Sequence, residues 1–115
     1  MAVTITMPAV TPPLTERQWQ AQVINLANLG DWRVFHPLTA QKKGAWATFQ
    51  SGHRGYPDLT LVKPGQGIIF AELKTERGKL SDDQIEWRDR IRAAGGEWHL
   101  WRPSDIEYVT RRLLR

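Results

Sequence analysis

The 115-residue sequence contains no cysteine. That excludes thiol catalysis, disulfides and cysteine-type zinc sites. Histidine is scarce as well: the three, His36, His53 and His99, lack zinc-ligand spacing. No apolar run approaches the ~20 residues that a membrane helix needs. Residues 1–13 are rich in Thr and Pro and carry no Lys or Arg, so they lack the charged start of a signal peptide. Residues 1–14 read as a flexible arm ahead of one domain spanning 15–115, and the expected location is cytoplasmic.

What is present fits one soluble domain. Hydrophobic residues make up 41% and charged residues 24%, enough for a small core. Six tryptophans can enlarge that core, stack on bases or fill a partner interface. The formal charge of +4 favours a polyanionic partner, although charge alone is a weak signal. No helix-turn-helix or zinc finger is visible, so little base-specific readout is expected.

The pattern of polar and apolar residues predicts an α/β fold, a mixed central sheet flanked by helices in the order αβββαβα. Thr15 and Gln18 have capping-box spacing. A helix should follow with Trp19, Val23, Leu26 and Gly30 inward, stopped by Gly30 in the left-handed C′ role. Residues 32–36 read as a strand and residues 37–55 as a long loop, a length that is usually functional or mobile. Residues 57–62 and 68–74 read as strands around a short turn. Ser81 and Gln84 form a second capping box before a helix with Leu80, Gln84, Trp87, Ile91 and Ala94 inward, ended by Gly95 and Gly96. Residues 97–102 are a strand with Trp98 and Leu100 on one face. Ser104 caps the last helix, with Ile106, Val109 and Leu113 inward.

The short turn makes residues 57–74 an antiparallel hairpin. Centred on Gly65, it pairs Thr60 with Phe70 and Val62 with Ile68, and sets Asp58 opposite Glu72. Side chains alternate along a strand, so Asp58, Glu72 and Lys74 share one face. Opposed carboxylates repel. A divalent cation such as Mg²⁺ offsets that repulsion and leaves room for water. Lys74 can then hold a phosphate or orient the attacking water. The competing reading is two edge carboxylates in separate salt bridges. Against it, Glu72 ends the apolar run Ile68–Ile69–Phe70–Ala71, where a core strand would carry no charge. Glu16 falls on the inward face of the first helix, either as a further member of the site or as a residue suited to the helix dipole.

With these residues in view, Gly55–Tyr56–Pro57–Asp58 followed by Glu72–Leu73–Lys74 resembles the PD-(D/E)XK nuclease superfamily. The Glu16 helix, the Gly-x-Pro-Asp form and the stretch from Trp101 to Asp105 are similar to its VRR-NUC branch. The resemblance implies a DNA endonuclease with Mg²⁺ or Mn²⁺ held by Asp58, Glu72 and the Leu73 carbonyl. It implies that Lys74 positions water or stabilises the developing charge, and that Glu16 touches the metal or its water shell. Gln84 matches a position bordering the site in that superfamily, and its capping role explains it equally well. It also implies a homodimer acting on branched or junction DNA. Lys42, Lys43, Arg54, Arg77 and Lys79 flank the site and read as phosphate contacts. Trp46 and Phe49 can stack at a branch or anchor their loop. His36 either touches substrate or is structural. Two other classes stay open: a catalytically weak DNA-binding relic of the fold, and an interaction module of a larger phage or repair assembly.

Overall fold

The computed structural model describes residues 13–37, 41–42, 45–46 and 52–115. The residues read as an N-terminal arm lie outside these up to residue 12. Helix α1 (Glu16–Leu29) starts at the expected capping box: the Thr15 hydroxyl accepts from the Gln18 N–H, and the Gln18 side chain accepts from the Thr15 N–H. Its inward residues are Trp19, Val23 and Ala27, one stripe of a 3.6-residue period. Strand β1 (Arg33–Phe35) follows. A small hairpin, β2 (Gln41–Lys42) with β3 (Ala45–Trp46), lies inside the segment expected to be loop. Next come β4 (Leu59–Lys63), β5 (Gly67–Leu73), α2 (Asp82–Ala93), β6 (Glu97–Trp101), a single 3₁₀ turn (Pro103–Asp105) and α3 (Ile106–Leu113).

The main sheet runs β1-β4-β5-β6. The first three strands are antiparallel and β6 lies parallel to β5. This is the mixed sheet expected from the pattern. The hairpin register is also as expected, with Thr60 opposite Phe70 and Val62 opposite Ile68. The inward residues Leu59, Leu61, Ile69, Ala71 and Leu73 are wholly buried beside Trp19, Val23, Trp101, Val109 and Leu113. Each such large apolar side chain contributes roughly 1.5–3 kcal/mol by burial. Two indoles also fix the layers by hydrogen bonds: Trp19 Nε1 donates to the Trp101 carbonyl at 3.0 Å, and Trp32 Nε1 to the Leu113 carbonyl at 2.9 Å.

Several local expectations change in the folded chain. Gly30 has φ −83° and ends α1 without a left-handed turn; Asp31, with φ 65°, takes that conformation. Gly30 is needed for space instead, since a Cβ there would lie 2.0 Å from the Leu113 carbonyl oxygen. Ser104 does not cap the last helix, because its N–H and hydroxyl are both taken by the Glu76 carboxylate, at 2.6 and 3.0 Å. Ile106 and Ala94, expected inward, are exposed, and Arg112 is buried beside Leu113. Its guanidinium bonds both Glu97 oxygens and lies over the Trp32 ring. The Arg112 pairing holds the Glu97 carboxyl below its usual range, against the opposing effect of burial. Four tryptophans, Trp19, Trp32, Trp98 and Trp101, are buried within the single chain, so tryptophan number gives no argument for a second subunit.

Candidate active site

Asp58 and Glu72 meet where β4 begins and β5 ends. The last pair of the ladder is Leu59 and Ala71, and the same register continued one step sets Asp58 beside Glu72, close enough for each charge to act on the other. Glu72 is 1% exposed. Its Oε1 accepts from Gln84 Nε2 at 2.9 Å, while its buried Oε2 has no donor among the described residues. Asp58 is held by one oxygen, which accepts from the Leu73 N–H at 2.8 Å.

Burial pushes the Glu72 carboxyl up to about 9, helped by the Asp58 carboxylate beside it and, more weakly, by the charge of Glu16; Lys74 pulls the other way. With its proton, Glu72 hydrogen-bonds Asp58. Without it, two negative groups face each other in a nearly dry place, and a cation must intervene. The donors are all oxygen, which suits a hard divalent ion, and the donorless Oε2 is the atom such an ion would satisfy. The residues present therefore fit Mg²⁺ or Mn²⁺. Among the described residues, no group of three or more His, Cys, Asp or Glu side chains can hold a metal. The site is a two-carboxylate site, and Glu16, exposed at the start of α1, acts on it from further away.

The neighbouring elements fix each of these groups. The Trp101 carbonyl accepts from the Lys74 N–H at 3.2 Å as well as from the Trp19 indole, so β6 and α1 together set where Lys74 leaves the strand. Gln84 does both things proposed for it. Its Oε1 accepts from the Ser81 N–H at 2.9 Å, which turns the amide so that Nε2 points at Glu72. The segment before Asp58 lies against α2. Trp87 Nε1 donates to the Arg54 carbonyl at 2.8 Å, and a Cβ on Gly55 would sit 2.5 Å from the Asp83 carbonyl carbon.

For His36, left between a substrate contact and a structural role, the sequence did not show the partner. Its Nδ1 lies 2.8 Å from the Asp58 carbonyl oxygen and 3.2 Å from the Gln20 amide. Of the residues proposed to contact DNA, Arg54, Arg77 and Lys79 are exposed around the site, and none has a salt bridge among the described residues. Lys43 and Phe49 lie outside the described residues, and for Lys42 and Trp46 only the strands are described. A cavity of about 270 Å³, lined by His53, Arg54, Asp83, Glu86, Trp87 and Arg90, contains none of the carboxylate-pair residues.

Compared with known families, residues 14–103 match the family model of the VRR-NUC domain. The chain belongs to the VRR-NUC domain family. The family is of nuclease type, and in this VRR-NUC chain the paired carboxylates and Lys74 fall inside the matched region. A solved structure titled "VRR_NUC domain" superimposes with a TM-score of 0.60 at 19% identity, covering 84% of this chain and 94% of the other. At that identity the likeness shows the fold. A search of curated proteins finds no match.

Proposed function

We propose that this VRR-NUC domain is a metal-dependent DNA endonuclease whose site is Asp58, Glu72, the Leu73 carbonyl and Lys74. The observation that carries the reading is the pair Asp58–Glu72, one of whose oxygens is buried without a donor. Separate salt bridges would put a cationic partner on each carboxylate, and neither Asp58 nor Glu72 has one among the described residues. Mg²⁺ or Mn²⁺ held by these residues would supply phosphate charge neutralisation and a more acidic water. Two protein carboxylates suit Mg²⁺, which keeps waters and substrate oxygens in its shell.

The chain's own residues do the rest. Asp58 and Glu72 would hold the ion, and Gln84 fixes the Glu72 carboxylate by its amide hydrogen bond. Lys74 places an ammonium beside the carboxylates, where it orients water or stabilises the phosphorane charge. Water attacks phosphorus in line while the opposite P–O bond breaks. Glu16, exposed at the start of α1, would act on the site through its charge. Arg54, Arg77 and Lys79, with Lys42 and Lys43, hold the DNA backbone, which carries charge but little sequence information.

Branched or junction DNA is the substrate class this reading favours, and a homodimer is the form that presents two sites to it. The exposed sheet face supports a dimer. Phe35 is 61% and Ile68 51% exposed; Ile68 pairs with the exposed Val62, and Phe35 stands one pair-row away opposite Thr60, apolar side chains of the kind an interface can cover. Light scattering should give twice the monomer mass, and Phe35→Ser with Ile68→Ser should halve it. A monomer in the wild type refutes the dimer.

The test of the activity is cleavage of plasmid, flap and four-way-junction DNA with Mg²⁺ or Mn²⁺. Asp58→Ala, Glu72→Ala and Lys74→Ala should each lower the rate at least about 100-fold, the scale of losing one transition-state stabiliser, with the fold kept. Full activity in Asp58→Ala would sink the assignment. DNA binding without cleavage in any metal would make the chain a binding module.

A further inference from the structure

We infer that His36 is a positioning residue for the site, which through its Nδ1 hydrogen holds the Asp58 backbone where the Asp58 carboxylate can serve a divalent cation. This rests on the metal reading given above.

The hydrogen-bond chemistry fixes the ring. The Asp58 carbonyl oxygen can only accept, and it lies 2.8 Å from His36 Nδ1. That nitrogen must therefore carry the hydrogen, whatever the charge of the ring. The Gln20 amide lies 3.2 Å from the same nitrogen. The end of the amide placed there is Nε2; a nitrogen that donates has no lone pair left for an amide N–H, so the inference requires the half-turn that brings the Gln20 oxygen to the ring instead. Gln20 sits one turn after Glu16 on α1, so this helix serves the site through both residues.

The backbone shows why a side chain is needed there. Strands β1 and β4 pair Phe35 with Thr60. Continued two steps along the same register, the ladder would set Pro37 opposite Asp58. Proline has no N–H to give, so β1 cannot extend its ladder to that carbonyl. His36 supplies a donor from its side chain instead. Asp58 is thus held at two points that do not involve a metal, by His36 at its carbonyl and by the Leu73 N–H at its carboxylate. Glu72 is fixed in turn by Gln84. Groups that orient metal ligands in this way typically contribute about 10–100-fold to metal affinity or activity.

Three variants separate this role from bulk packing. Asparagine at 36 puts an amide N–H where Nδ1 stands, glutamine puts its amide nearer the position of Nε2, and alanine removes both. The probe is Mn²⁺ binding measured by calorimetry on the full chain, with cleavage measured in parallel and melting in chelator to report folding. His36→Ala and His36→Gln should weaken Mn²⁺ binding about 10–100-fold, and His36→Asn should restore most of it, with similar chelator melts for Asn and Gln. A ¹⁵N spectrum of histidine-labelled protein should show the His36 hydrogen on Nδ1. Equal Mn²⁺ binding by the Gln and Asn variants, or the hydrogen on Nε2, overturns the proposal. Wild-type protein that binds no Mn²⁺ overturns the metal reading itself. Binding abolished by Asp58→Asn but untouched by all three His36 variants leaves that reading standing and removes this one.

Discussion

At the scale of single residues, the site was legible where side-chain alternation decides it and hidden where a tertiary partner does. Asp58, Glu72 and Lys74 followed from a two-residue period and a turn length, both local properties. Gln84 showed only one of its two bonds, because a capping box says where one end of the amide goes and nothing about the other. His36 and Gln20 carried no local signal at all; their contact joins residues 16 apart in sequence to a carbonyl 22 further on. Glu72 has a consequence for stability. Its folded value of about 9 stands far above the ordinary 4.5, so between those values the metal-free folded chain binds a proton that the unfolded chain releases. Stability from this group is fully present below about pH 4.5 and is lost as pH rises toward 9, by at most ~1.4 kcal/mol per pH unit. Glu97 works in the opposite sense, since its lowered value makes stability fall toward acid. Melts in chelator from pH 5.5 to 8.5 avoid that contribution. Wild-type melting temperature should fall with pH relative to Glu72→Gln, which keeps an acceptor for Gln84 and has no proton to lose. Parallel curves would mean that Glu72 is ionised in the metal-free fold.

At the scale of elements, the helix starts and the hairpin register were readable because capping boxes and short turns are local chemistry. The ends were less so. Asp31 rather than Gly30 takes the left-handed conformation after α1, closed by local backbone bonds from Asp31 and Trp32, and the distant Glu76 draws Ser104 away from α3. The β2–β3 hairpin joins two-residue strands, too short to show a period. Gly55 links the elements of the site, since it lies in the segment leading to Asp58 and meets the start of α2, which carries Gln84. Its φ of +92° is costly for any L side chain, and a Cβ would also meet the Asp83 and Gln84 backbone at 2.5 to 2.7 Å. Gly65 has a similar φ of +82° with open space around it. Gly65→Ala should therefore cost only the left-handed conformation, roughly 1–2 kcal/mol. Gly55→Ala should cost distinctly more in urea unfolding and also weaken Mn²⁺ binding, because α2 must move and take Gln84 with it. Equal costs, with Mn²⁺ binding unchanged in both, would show that the α2 contact yields freely.

At the scale of the whole molecule, what the sequence offered was a charge of +4, and charge alone does not say where DNA lies. The fold places part of that charge near the candidate site. Arg88, Arg90 and Arg112 are paired with carboxylates. Arg54, Arg77 and Lys79 have no such partner among the described residues, and they stand exposed in the two segments on either side of the carboxylate pair. Arg77 and Lys79 lie between β5 and α2, just beyond Lys74, while Arg54 lies four residues before Asp58. Cations left free around an acidic centre can hold a phosphate backbone across it and offset the repulsion between DNA and the carboxylates. Binding through them should be independent of sequence and should weaken steeply with salt, because each neutralised phosphate releases condensed counterions. Replacing both Arg77 and Lys79 with Ala should thus reduce the slope of log affinity against log salt by about 2 on duplex arms, and the loss should be alike on unrelated sequences. Metal-free protein or Ca²⁺ in place of Mg²⁺ keeps cleavage out of the measurement. A slope unchanged in the double variant would place the DNA away from this loop, and a loss confined to one sequence would mean that these side chains read bases rather than phosphates.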